Sequence, residues 1–181
     1  MRGEDGRLRV ADSFEHFKVD FGISLTAPSG GRPGMLVYPV FEYRRIRIRP
    51  NRCFVIMPFD DLFGRVYRES IKPAVTAGGR ECRRADDIFS AGPIMERIWR
   101  YLVQSPLVIA DLTSRNANVL YELGIAHALG REVILLTQEP GDIPFDLRHH
   151  RWLKYSTKGV GLAQLRAELT GAIQDIEHLE S

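Results

Sequence analysis

The chain predicts an α/β fold: a three-layer sandwich around a five-stranded parallel sheet of order 2-1-3-4-5, with a β-rich appendage at its N-terminus. Three observations carry this. From residue 52 onward, short apolar runs alternate with amphipathic stretches of ten or more residues, the mark of βαβ units. The segment 107–137, LVIADLTSRNANVLYELGIAHALGREVILLT, reads as strand, polar loop, helix and strand. The right-handed crossover rule then leaves few topologies for five such strands.

Taken in order, residues 1–50 stand apart. They hold a Gly/Pro/Ser-rich stretch, APSGGRPG (27–34), followed by MLVYPVFEYRRIRIR (35–49), which suits one or two strands. Pro39 argues against a central strand, so 1–50 is expected to be an arm or edge hairpin. The clustered Arg44, Arg45, Arg47, Arg49 and Arg52 suit either a phosphate-binding surface or a solvated edge strand. The near-neutral whole chain favours the edge strand. CFVIM (53–57) is the first strand of a domain expected over 51–181. Leu62, Val66, Ile71, Ala74 and Val75 follow at helical spacing, with Pro73 expected to bend or shorten the helix and Gly78-Gly79 to end it. Residues 81–85 are a polar strand leading into Asp86-Asp87. Pro93 suits a first helical turn, and Ile94, Ile98, Tyr101 and Leu102 form that helix's apolar face. After the 107–137 segment come a loop at 141–144, a short strand at 152–155 and an amphipathic helix through Leu162, Leu165, Leu169, Ile173 and Ile176. The sum is a flavodoxin-like arrangement without an internal repeat.

Composition narrows the functional classes. With 44% hydrophobic and 27% charged residues among 181, the chain resembles an ordinary soluble domain. A net charge of +2 makes nucleic acid an unlikely partner. No apolar run approaches the ~20 residues that span a bilayer, and the first residues lack the apolar stretch of a secretory signal. Cys53 and Cys82 suit free thiols packed in strands, in a reducing cytoplasm. His16, His127, His149, His150 and His178 show no metal-ligand spacing, so neither metal nor cofactor is expected.

In a parallel sheet the residues just after each strand share one crevice. Here they are Pro58, Phe59 and Asp60; Asp86 and Asp87; Asp111, Thr113 and Asn116; and Gln138. GxGxxG and GxxxxGK[ST] are absent, so an acid-rich crevice replaces a phosphate cradle. Glu122 is central. With Asn118 as N-cap it falls about one turn inside a helix, among Val119, Leu123, Ile125 and Ala126. Desolvation raises the pKa of such a carboxylate while the helix N-terminus lowers and orients it, which predicts a positioned, ionised nucleophile. The macrodipole alone also favours a glutamate there. Asp111 equally suits a strand-end acceptor for loop N–H groups, Asp86 and Asp87 a solvated turn, and Asn116 and Asn118 loop or cap positions.

At CFVIMPF, ADLTSRNANVLYELGIAHALG and REVILLT the chain resembles the nucleoside 2-deoxyribosyltransferase-like superfamily of N-glycosidases, over roughly residues 52–155. The resemblance implies cleavage of the bond between a sugar C1′ and a base nitrogen. The glutamate of the ELG-A motif, here Glu122, attacks C1′, and a base or water resolves the glycosyl-enzyme. It implies that Asn116 and Asn118 hold the sugar, and that an acid protonates the leaving base. The candidates for that acid are Asp87 and Glu96, with Asp111 beside them. Relatives often carry aspartate where this chain has Asn116, which weakens hydroxyl or base recognition. Phe59 suits stacking on a base and Arg115 a 5′-phosphate. The implied partner is a small nucleoside or nucleotide, and the implied state a homodimer or larger homo-oligomer. Two other readings stay open: a nucleotide sensor without turnover, and a TIR-like NAD hydrolase.

Overall fold

The apolar runs become the middle of the sheet. The computed structural model describes residues 46–87 and 94–179, without the side chains of Asp86 and of 177–179. The chain divides into two units, Met1–Arg45 and Ile46–Ser181. The expectations for residues 1–45 and for Pro93 lie outside the described residues. Strands β1 (Arg52–Ile56), β2 (Glu81–Arg84), β3 (Leu107–Asp111), β4 (Glu132–Thr137) and β5 (Trp152–Lys154) form one sheet of order β2-β1-β3-β4-β5. Every pairing is parallel, as predicted. β1 and β3 are buried along their whole lengths because helices cover both faces. The edge strands are short, β2 reading ECRR and β5 reading WLK, and the charges of β2 discourage edge-to-edge association.

Alternate residues serve alternate faces. Cys53, Val55, Leu107, Ile109, Ile134 and Leu136 pack on one side with Phe63, Val66, Ile71, Leu162, Leu165 and Leu169. Phe54, Ile56, Val108, Ala110 and Leu135 pack on the other with Ile98, Leu102, Val119, Leu123 and Ala126. The first face is covered by α1 (Asp61–Val66), α2 (Lys72–Ala77) and α5 (Gly161–Leu179), the second by α3 (Ile94–Gln104) and α4 (Ala117–Ala128). Among the described residues no helix is long and apolar enough to cross a membrane.

Pro73 neither bends nor shortens its helix in the expected way. A π turn, Tyr67–Ile71, joins α1 to α2, and the Lys72 N–H donates to the Tyr67 carbonyl. The wider turn makes room for a ring that has no N–H to give, so the helical run continues to Ala77. Ser70, at the π turn, donates its hydroxyl to the Leu162 carbonyl at 2.7 Å and pins α5 across it.

The arginine-rich stretch also departs from expectation. Its described part, Ile46–Arg49, forms no strand, because the Arg49 N–H is taken by the Gln104 carbonyl at the end of α3. Arg52 is not a solvated edge residue. It is buried at the start of β1, donates to Glu81 and Gln104, and lies 5.0 Å from the Tyr101 ring centre. Cys53 and Cys82 are free thiols. Burial raises the first well above its ordinary value and the second to about 11, which fits inert packing.

Gly161 opens α5, and a Cβ there would drive into the Ser156 carbonyl. Gly161→Ala is therefore expected to destabilise by about 1–3 kcal/mol. The check is a lower urea midpoint at unchanged m-value.

Candidate active site

Asp111 closes β3 and has no exposed surface. Its Oδ1 accepts the backbone N–H of Thr113 at 3.0 Å and the Thr113 hydroxyl at 2.6 Å. Its Oδ2 accepts the Tyr155 hydroxyl at 2.6 Å. Gln138 completes the cluster, donating its side-chain amide to the Tyr155 oxygen and its backbone N–H to the Thr113 oxygen, each at 3.1 Å. Residues following β3, β4 and β5 are thus joined through one carboxylate. Burial pushes the Asp111 carboxyl up, while the Thr113 and Tyr155 donors pull it down. Expected among the catalytic acids, Asp111 has no surface left to meet a ligand. It positions the loop instead. Tyr155 was legible only as a strand residue, although the end of a predicted strand is where such a group belongs.

The loop beyond is held in an uncommon conformation. Ser114 and Arg115 have φ of 63° and 51°, the left-handed region that side chains seldom occupy. Asp142 accepts the Ser114 N–H at 2.7 Å, and the Arg115 guanidinium donates to the Gly141 carbonyl. Arg115, expected to meet a phosphate, thereby ties its own loop to 140–142. The double turn swings Asn116 into the N-cap position of α4, where its Oδ1 accepts from the N–H groups of Asn118 and Val119. Asn118, expected as the cap, is an exposed residue of the first turn. The helix starts two residues earlier because the left-handed pair, invisible to composition, reverses the chain there.

That shift changes Glu122. It is the sixth residue of α4 and lies on the face of Val119, Leu123 and Ala126, only 7% exposed. The helix dipole acts mainly within the first turn. Desolvation therefore dominates and raises the carboxyl from 4.5 to about 7. Among the described residues no hydrogen bond or ion pair reaches it. The expected fully ionised carboxylate is instead one that is about half protonated near neutral pH.

The other strand-end residues divide. Asp60 caps α1, accepting from Leu62 and Phe63 N–H groups at 2.9 and 3.2 Å. Pro58 is buried, whereas Phe59 is 62% exposed beside it. Asp87, at the end of β2, accepts the Tyr67 hydroxyl at 2.6 Å and the Arg84 N–H at 3.3 Å. The Arg84 guanidinium lies 4.7 Å from the Tyr67 ring centre. Tyr67 and Arg84 escaped the sequence reading because neither follows a strand. Asp86 lies in the same short turn as Asp87, and Glu96 is half-buried in the first turn of α3. Among the described residues no cluster of His, Cys, Asp or Glu could hold a metal ion.

Neither a protein-family model nor a curated protein sequence matches the chain. A solved structure, a 2-desoxiribosyltransferase from Leishmania mexicana, aligns with a TM-score of 0.42 at 19% identity, over 50% of this chain and 66% of that one.

Two outcomes check the site's energetics. The Glu122 carboxyl is higher in the folded than the unfolded chain, so its contribution is fully present below about pH 4.5 and lost as pH rises to about 7. Urea unfolding of Glu122→Gln should lack a fall of roughly 2–3 kcal/mol across that window that the parent chain shows. Tyr155→Phe leaves Asp111 Oδ2 without its donor and should cost about 1–3 kcal/mol in the same measurement.

Proposed function

We propose that the chain is an N-glycosidase or N-glycosyl transferase acting on a nucleoside, nucleotide or related N-glycoside, with Glu122 as nucleophile. The observation that carries the reading is a carboxylate buried on an apolar helix face, unpartnered among the described residues, directly behind a strand-end loop held in a strained form. The resemblance at YELGIAHALG supports it. In the first step a Glu122 oxygen bonds to C1′ as the C1′–N bond breaks. Its electron pair goes to the base nitrogen, which takes a proton from an acid. Water or a second base nitrogen then attacks C1′, releasing Glu122 and losing its own proton.

Asp87 and Glu96 are the proposed acids. Asp87 is exposed at the end of β2, and Glu96 lies on the helix packed against α4. Phe59, exposed after β1, is proposed to stack on the base. The amide group of Asn116, whose Oδ1 is already engaged, is left for a sugar hydroxyl. The competing reading is a nucleotide sensor without turnover. The internal engagement of Asp111 and Asp60 favours it, since both acids already serve the fold.

Chromatography separates the readings after incubation with nucleosides, 5′-monophosphates and NAD. Free base or sugar-transfer product is expected, or nicotinamide where NAD is the substrate. In the expected result kcat/KM rises about tenfold per pH unit and levels near pH 7, because the reactive form is the ionised one. Glu122→Gln should lower the rate on the order of 10³-fold or more. Release that survives this substitution overturns the mechanism, and binding without release establishes the sensor.

A further inference from the structure

We propose a second site, at the opposite edge of the sheet, that takes the phosphate chain of a nucleotide-sized ligand. A hollow of about 540 Å³, within the size range of small-molecule sites, opens at the amino ends of β1 and β2. Arg47, Ile48, Arg49, Asn51, Glu81 and Gln104 line it. Five residues of β1, at roughly 3.3 Å each, separate this edge from the crevice at the strands' carboxyl ends.

The charge around the hollow is one-sided. Its single lining carboxylate, Glu81, is already taken by two guanidinium groups: Arg52 at 2.7 Å and Arg83 at 2.6 Å. Arg52 is held rigidly, since it also donates to the Gln104 oxygen at 2.6 Å and stacks on Tyr101. Arg80 donates to the Pro50 carbonyl and so holds the turn that follows Arg49. Arg47 and Arg49 are exposed and make no ion pair with a described residue. Arg47 and Arg49 thus add positive charge to a described lining whose one carboxylate, Glu81, is already paired. A concave surface with that imbalance focuses a positive potential on its mouth.

The residue types fit the ligand. Planar guanidinium groups bind phosphate oxygens in bidentate fashion. The Gln104 oxygen accepts from Arg52, which leaves its amide N–H groups as donors, and Asn51 adds another side-chain amide. Ile48, 54% exposed between Arg47 and Arg49, offers an apolar face for the non-phosphate part. A hollow of this size, lined by two exposed arginines, suits a short phosphate chain better than an extended polyanion. The site stands independently of the Glu122 reading.

Isothermal titration of the full chain with inorganic tripolyphosphate tests this, with ATP and a single-stranded oligonucleotide of about 20 bases alongside. Saturable tripolyphosphate and ATP binding is expected, about tenfold or more weaker in Arg47→Ala/Arg49→Ala. Amide NMR of the unsubstituted chain should place the tripolyphosphate shifts at residues 47–51 and 104, which decides the matter even if the double variant folds poorly. No binding at about 5 mM, shifts at 113–122 instead, or an affinity indifferent to the arginines would overturn the proposal. So would an oligonucleotide that binds more than about tenfold tighter than tripolyphosphate.

Discussion

The arrangement of the crevice rests on a buried carboxylate satisfied without a cation. Asp111 has surrendered its water entirely, and the compensation comes from three donors: two on Thr113 and one on Tyr155. Leaving any one unmade would strand a charge in a low-dielectric interior. Because the donors belong to the segments following β3 and β5, with Gln138 after β4 bridging them, satisfying one acid draws three strand ends together. β5, an edge strand of three residues, has little ladder of its own and gains a side-chain tie to the centre of the sheet.

The same clasp sets the direction in which the chain leaves β3. Ser114 and Arg115 are forced into the left-handed region, at a cost of order 1–3 kcal/mol each for such residues, and the 140–142 loop holds them there. Asn116 arrives where it can cap α4, and the helix phase then turns Glu122 toward the packed side rather than toward solvent. The two buried acids are consequently opposites. Asp111 is saturated with donors, whereas Glu122 has none among the described residues. Desolvation that is compensated at the first is left uncompensated at the second.

Charge is sorted along the strands. Asp60, Asp87 and Asp111 stand at or after the carboxyl ends of strands, while Arg47, Arg49, Arg52 and Arg80 cluster at the amino ends of β1 and β2. A whole-chain figure cannot reveal such a separation, because the field at a hollow depends on which charges face it and which are already paired.

The sequence by itself determined the parallel sheet and its order, since continuous apolar runs separated by amphipathic helices admit few chiral connections. It also predicted a crevice at one edge, because parallel strands bring their carboxyl ends there whatever the side chains do. It did not reveal the jobs within that crevice. Asp60 became a cap for the turn that follows it, while Arg115 became a loop tie and Asn116 the helix start in place of Asn118, through a partner distant in sequence or through an unusual φ. Nor could it show Tyr155 reaching Asp111 across 44 positions, or Arg52 buried against Glu81 and Tyr101. Periodicity records which face a residue occupies. Protonation and partnership depend on what occupies the space opposite, and only tertiary packing decides that.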